Sequence, residues 1–462
     1  MAGRDGSPIE LVFDRGSLLV SPPPAEAAGA FPPSYLHWDD RVGAYRGLAI
    51  HYRALVGLLT RGNFSFSDRA RDYPEIPLRA KGAPPPFAHQ LEAMQAWSRG
   101  KRGVAELPTG AGKTRVALLA MAEVGRGTLI LVPTLELVSQ WCSVVEKEFG
   151  ISPGVVGGGS FEIAPVTVCT YASAYRHGER FGDRFGLAIF DECHHLCGVG
   201  YARIAEGLIA PYRLGLSATV ERPDGRHLLL DSLIGPRIYT KSIGELSGSH
   251  LAEYSVQVRY AHLNPREEAC YRQARETYLA FAREKGLSLA SPGDWRRFIF
   301  AAGRTPEGRE ALAAYFRQKN LAFAAEQKFG ICAELLQRHA GQRTLIFTND
   351  NRTAYEVSRR FLLPLITHQT RIAERRAILA RFRDGRWPTV VTSKVLNEGV
   401  DVPAAAVAII LSGNASVREH VQRLGRILRR DGEKKAVLYE VLTRHTGEEG
   451  TSERRRRHDA YR

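Results

Sequence analysis

From Gly103 onward the chain alternates short apolar runs with stretches whose apolar residues recur at helical spacing. GVAEL, TLILVPT, VTVCTY, LAIF and YRLGLSAT read as buried strands, and LELVSQWCSVVEKEF as an amphipathic helix between them. Such alternation predicts right-handed βαβ units and a parallel sheet covered on both faces. From about 262 to 338 the strands stop. PREEACYRQARETYLAFAREK and PEGREALAAYFRQKNLAFAAEQK keep a helical period and predict a basic helical insert. Alternation resumes with TLIFTND, LPLITHQT, WPTVVTSK, AAVAIILSG and KAVLYEVLT, a second α/β domain. Near the start, IELVFDRGSLLV (9–20) predicts two strands around a Gly-containing turn, and YRGLAIHYRALVGLLTR (45–61) predicts an apolar helix. The resulting division is a small α+β domain over 1–80, an α/β domain over 81–261, the insert over 262–325, a second α/β domain over 326–445 and a basic tail over 446–462.

At 462 residues the chain needs several cores, in keeping with that division. A net charge of +15 suits a polyanion such as nucleic acid, or an anionic membrane surface. No apolar run is long enough to cross a bilayer, and MAGRDGSPIE lacks a signal-peptide apolar region, so a soluble, cytoplasmic protein is expected. The six cysteines show no paired framework, which fits reduced thiols. Tyr35, Trp38, Tyr45 and Tyr52 lie beside arginines, a mix able to stack on bases but more often found in a core.

LPTGAGKT (107–114) lies between a strand and the helix VALLAMAEV, the setting a phosphate loop requires. Thr109, Gly110, Ala111, Gly112, Lys113 and Thr114 form the expected cradle. The glycines let backbone N–H groups turn toward the β-phosphate, Lys113 pairs with the β- and γ-phosphates, and Thr114 ligates Mg²⁺. Leu107 stands where the general pattern has its first glycine.

IFDECHHLCG (189–198) sets two cysteines and two histidines behind two acids. Zinc would need all four side chains to converge, yet neighbours on a strand point to opposite faces and no distant CxxC completes a set. The better reading follows from the strand LAIF, which delivers Asp191 to the carboxyl end of a parallel sheet, where ligand sites form. Asp191 then holds Mg²⁺ and Glu192 orients the attacking water and accepts its proton. Cys193 reads as a packing residue. His194 reads as a link to the neighbouring LGLSAT strand, whose Ser217 and Thr219 relay the state of the γ-phosphate.

A phosphate loop alone permits a kinase or a GTPase. The second α/β domain narrows the choice. In EHVQRLGRILRR (419–430) helical spacing puts Gln422, Arg426 and Arg429 on one side, able to meet a γ-phosphate held by the other domain. In VTSKVLNEGVDVP (391–403) Gly399 and Asp401 fall on a turn suited to ribose or phosphate.

Taken in order, PTGAGKT, LVPTLELVSQW, DECHH, LSAT, LIFTND, NEGVDVP and QRLGRILRR resemble the motif series of superfamily 2 helicases, over about residues 85–445. Within that group the chain is most similar to the XPB family, particularly its short archaeal and bacterial members. The resemblance implies two tandem RecA-like parallel-sheet domains, a small N-terminal damage-recognition-like domain and a thumb-like helical insert. It implies an ATP- and Mg²⁺-dependent 3′-to-5′ DNA helicase or duplex translocase in DNA repair or promoter opening, nucleoid-associated and with a nuclease partner in some members. Gln90 would contact the adenine edge, with Phe87 free to stack, and Thr134, Thr170 and Arg222 would meet DNA. The family's Arg-Glu-Asp element appears here as Arg222-Pro223-Asp224, which puts strand separation by that element in doubt. Its arginine-x-aromatic-glutamine pattern appears as Phe87-Ala88-His89-Gln90. The rivals are a motor that moves on duplex without opening it, an RNA helicase, and a DNA-binding scaffold that uses ATP only as a structural ligand.

Overall fold

A computed structural model describes residues 8–21, 31–81, 84–222, 224–247, 252–289, 292–393, 405–413 and 436–456. Among these residues the chain divides at Ser242/Ile243 into two compact units.

The first unit opens with a five-stranded sheet. β1 (Ile9–Asp14) and β2 (Ser17–Val20) form the expected hairpin about Arg15 and Gly16, both in the left-handed region. β3 (His37–Asp39), β4 (Ala44–Leu48) and β5 (Phe66–Arg69) complete it in the order β3-β4-β2-β1-β5. The apolar stretch 45–61 is therefore only partly helical. Its first residues pair with β2 and β3, the Trp38 and Tyr45 rings meeting edge to face at 5.2 Å, and the helix begins at Tyr52 and runs to Arg61. Of the four aromatics, Tyr52 is core and donates to Asp68 at 2.6 Å, Tyr35 and Tyr45 pack against that core, and Trp38 is 47% exposed.

Eight strands form the second sheet of this unit: β6 (Arg102–Glu106), β7 (Thr128–Val132), β8 (Gly154–Gly157), β9 (Ser160–Phe161), β10 (Val166–Thr170), β11 (Leu187–Asp191), β12 (Tyr212–Ser217) and β13 (Arg237–Thr240). Their order is β13-β6-β12-β11-β7-β10-β8-β9, parallel throughout except for the β8–β9 edge. β7, β10 and β11 are buried along their whole length, as strands covered on both faces must be. Because all the central strands run the same way, the segments following β6, β12, β11, β7 and β10 emerge along one edge.

The second unit holds a six-stranded, all-parallel sheet. Its strands are β14 (Tyr254–Ala261), β15 (Thr344–Phe347), β16 (Leu365–Ile366), β17 (Thr389–Thr392), β18 (Val407–Ile410) and β19 (Ala436–Thr443), in the order β14-β19-β18-β15-β17-β16. The domain boundary expected at 261 moves accordingly, since β14 pairs with β19 over eight residues and lies with the second unit. The insert then follows this edge strand as helices Pro265–Glu284, Pro292–Ala302 and Pro306–Phe323 around a core that includes Phe281, Phe298 and Ala311. Asn264 caps the first helix reciprocally with Glu267, and Thr305 caps the third. The expected tail is likewise a helix, Gly447–Arg456, held by two buried contacts: Lys328 to Glu448 at 2.6 Å and Ser452 to Glu440 at 2.8 Å. No helix among the described residues is long and apolar enough to cross a membrane.

Candidate functional site

The phosphate loop joins β6 to the helix Lys113–Val124. Gly110 and Gly112 have φ of 91° and 80°, and a Cβ at Gly112 would run into the Gln90 amide. Glycine is required there both by the backbone and by space. The Ala111 carbonyl accepts from Gln90 Nε2 at 3.0 Å and lies 2.8 Å from His89 Nε2. Gln90 also returns its Oε1 to the Phe87 N–H at 3.0 Å, while the Phe87 ring is 53% exposed and stacks on His89 at 5.8 Å. Lys113 Nζ donates to the Leu107 carbonyl across the loop at 3.3 Å, and Thr114 is the second residue of the helix. Thr109 Oγ1 is buried with no partner among the described residues.

β11 delivers Asp191 two strands away, with β12 between. Asp191 is buried, yet its oxygens are held: Oδ2 accepts from Trp141 Nε1 at 2.8 Å and Oδ1 from the Glu192 N–H at 3.1 Å. Burial and the neighbouring Glu192 push its carboxyl above the ordinary range, and the Trp141 hydrogen bond and Lys113 pull it back. The Asp191 carbonyl accepts from the Tyr171 hydroxyl at 3.0 Å. Glu192 takes φ of 48°, a strained position for a residue with a side chain. Its Oε2 is buried, stands 3.5 Å from His194 Nδ1 and makes no hydrogen bond among the described residues.

His194 Nδ1 lies 3.1 Å from Ser217 Oγ, which donates to the Thr219 carbonyl at 2.9 Å and accepts from the Thr219 N–H at 3.3 Å. Cys193 and Cys197 belong to the apolar core beneath, the packing role expected of Cys193. Thr134 follows β7 and Thr170 ends β10, each as a helix cap, accepting from Leu137 N at 3.3 Å and Ser173 N at 3.1 Å. Arg222 is committed locally, donating twice to Asp224 at 2.9 and 2.7 Å and to the His194 carbonyl at 3.4 Å. Gly399, Asp401, Gln422, Arg426 and Arg429 lie outside the described residues, as does Pro223.

One sheet edge thus assembles a positive-φ anion cradle, a lysine, a threonine and an acidic pair. The hydroxyl and carboxylate donors fit a hard, oxygen-seeking cation such as Mg²⁺, and among the described residues Thr109 Oγ1 has no hydrogen-bond partner and Glu192 Oε2 only the 3.5 Å approach of His194, polar atoms that a bound nucleotide and water would satisfy.

Three family models match the chain. They are the Xeroderma pigmentosum group B helicase damage recognition domain over 11–70, the type III restriction enzyme res subunit over 84–222, and the ERCC3/RAD25/XPB C-terminal helicase over 309–459. The DNA 3′-5′ translocase XPB2 of Sulfurisphaera tokodaii is 40% identical over 92% of this chain and 97% of its own length. The chain belongs to the XPB helicase family. The DNA 3′-5′ helicase XPB of Mycobacterium tuberculosis is 33% identical over 77% of this chain but only 60% of its own, so this XPB-family chain spans less than two thirds of that longer relative. The helicase domain of Pyrococcus furiosus Hef (TM-score 0.52, 18% identity, 79% of this chain and 97% of that one) shares its fold. So does yeast Dbp5 (TM-score 0.56, 17% identity, 81% and 88%).

Sequence reasoning missed Trp141, His89 and Tyr171. LELVSQWCSVVEKEF reads as a helix and LVPTLELVSQW as part of the motif series, and nothing in either tells that the indole N–H reaches an aspartate 50 residues on. That pairing needs the β7–β11 adjacency, which only the folded sheet supplies.

Proposed function

We propose that this chain is an ATP-driven DNA motor of 3′-to-5′ polarity, serving DNA repair, in which the first unit binds ATP and the second supplies the arginines that complete its hydrolysis. The convergence of the phosphate loop with Asp191 and Glu192 on one edge of a parallel sheet carries the reading. Gly110, Ala111 and Gly112 offer backbone amides to the phosphates, Lys113 places its ammonium on the β- and γ-phosphates, and Gln90 reads the adenine edge. Mg²⁺, held by Thr114 and Asp191 partly through water, would neutralise charge on the transferring phosphate. Glu192 aligns the attacking water and takes its proton. Gln422, Arg426 and Arg429 are assigned to the γ-phosphate, and Gly399 and Asp401 to ribose or phosphate. His194, Ser217 and Thr219 pass the phosphate state along the edge toward Thr134, Thr170 and the DNA. A nucleoid-associated cytoplasmic protein working beside a nuclease or other repair partner accords with this.

Movement on duplex without strand opening is the second reading, favoured by Arg222, which spends two hydrogen bonds on Asp224 where the family pattern has an intervening glutamate. Multiple-turnover ATP hydrolysis is expected to rise on adding DNA and to vanish in Lys113→Ala. Unwinding of 3′-tailed duplexes supports the helicase. Triplex displacement without unwinding supports the translocase, and ATP binding without turnover would leave only a scaffold.

A further inference from the structure

Glu106 ends β6 one residue before the phosphate loop, and its side chain is only 14% exposed. A carboxylate withdrawn from water on an interior strand needs partners on both oxygens. It has them. Oε1 accepts the Val220 N–H at 2.9 Å, and Oε2 accepts Arg237 Nη1 at 2.9 Å. Val220 directly follows Thr219, and Arg222 comes two residues later. The backbone runs the same connection in parallel, because Glu106 pairs with Ser217 across β6 and β12 and the Leu107 N–H donates to the Ser217 carbonyl at 3.0 Å. Leu107 in turn accepts Lys113 Nζ.

We propose that Glu106 is a positioning residue that joins the phosphate loop to the turn carrying Ser217, Thr219 and Arg222, so that a shift at the bound phosphates displaces that turn. The backbone pairing fixes where β12 ends, whereas beyond Thr219 the carboxylate holds the Val220 amide, beside the burial of the Val220 side chain and the Arg222 contact with the His194 carbonyl. Arg237 supplies the countercharge from β13 and reaches the turn only through a solvent-exposed ion pair with Glu221 at 3.8 Å, a contact of little energetic weight. Removing Glu106 frees the turn and leaves the cradle, Lys113 and Asp191 in place. Nucleotide still binds and is split, but the splitting no longer drives the DNA-facing residues. The inference rests on the motor reading above and specifies how its two ends communicate within one unit.

The test uses the full chain with Mg²⁺, ATP and a DNA duplex carrying a third strand. Duplex travelled, read as third strand displaced per ATP hydrolysed, is measured for wild type, Glu106→Ala, Glu106→Met and Arg237→Met. Glu106→Ala is expected to keep its KM for ATP and to lose about 5-fold or more in displacement per ATP, the size of a typical coupling between sites. Glu106→Met fills the same volume without an acceptor and is expected to match it, which covers the case in which the alanine variant does not fold. Arg237→Met leaves the carboxylate on Val220 and is expected to keep the wild-type ratio. An unchanged ratio in whichever Glu106 variants fold would overturn the inference, as would a fall in Arg237→Met as deep as in theirs, which would mean that anchoring β13 is all the carboxylate does. A wild type whose ATP hydrolysis ignores DNA would instead overturn the motor reading itself.

Discussion

Asp191 sits in surroundings that favour a neutral acid, and two donors, the Trp141 indole and the Glu192 amide, hold it as an oriented carboxylate. Trp141→Phe removes one donor while keeping most of the ring volume. ATP turnover is expected to fall about 10- to 100-fold, the usual cost of losing a group that orients a metal ligand, with nucleotide binding retained. Steady-state ATPase assays beside nucleotide titration check this, and wild-type turnover would contradict it. Far from that edge, Asp39 is chelated by Arg41 and bonded by Arg46, and Arg41 above all holds its carboxyl well below the usual aspartate range. A depressed carboxyl stabilises the fold above its unfolded pKa and loses that contribution as pH falls toward the folded value. Asp39→Asn is therefore expected to melt lower than wild type at neutral pH, with the gap closing in acid below about pH 4. Melting curves across pH 7 to 3 check the sign, and a gap that widens in acid would contradict it. At this scale the sequence made Lys113, Asp191 and Glu192 legible because local motif chemistry announces them. Trp141 and Glu106 were not legible, since each acts through a partner that only strand order brings near.

Among the elements, β12 carries a buried arginine with no carboxylate partner among the described residues. Arg213 is 1% exposed and donates to the carbonyls of Ala210 at 3.0 Å, Leu233 at 2.5 Å and Leu208 at 2.7 Å. It thereby ties the end of the helix Leu229–Leu233 and the turn before β12 to the sheet. Arg213→Met leaves three carbonyls without that donor. At about 1–3 kcal/mol for each orphaned buried group, a loss of about 3 kcal/mol or more is expected in urea unfolding. A change within about 0.5 kcal/mol, as at a neutral surface site, would contradict this. The long apolar runs declared β6, β7, β10, β11 and β12 in the sequence because a strand buried on both faces has no polar alternation to confuse. β4 was hidden inside an apolar stretch whose period serves strand and helix alike until Trp38 and the hairpin at Gly43 decide its register. The C-terminal helix was hidden by its arginines, which conceal Glu448 and Ser452 on its buried side.

For the molecule as a whole, the order of motifs along the chain is a statement about division of labour. The first unit contains the cradle, the lysine and the acidic pair, and the second carries the segment with Arg426 and Arg429. On the proposed reading, charge that develops on a transferring phosphate needs more cationic stabilisation than Lys113 supplies, and a trans-acting arginine is worth about 10³-fold or more in turnover. Arg426→Ala therefore separates binding from chemistry. Single-turnover and steady-state ATP hydrolysis, with saturating DNA and with nucleotide affinity measured alongside, test the division most directly. The account predicts that Arg426→Ala binds ATP like wild type and hydrolyses it about 10³-fold more slowly. Hydrolysis at the wild-type rate in that variant would contradict it.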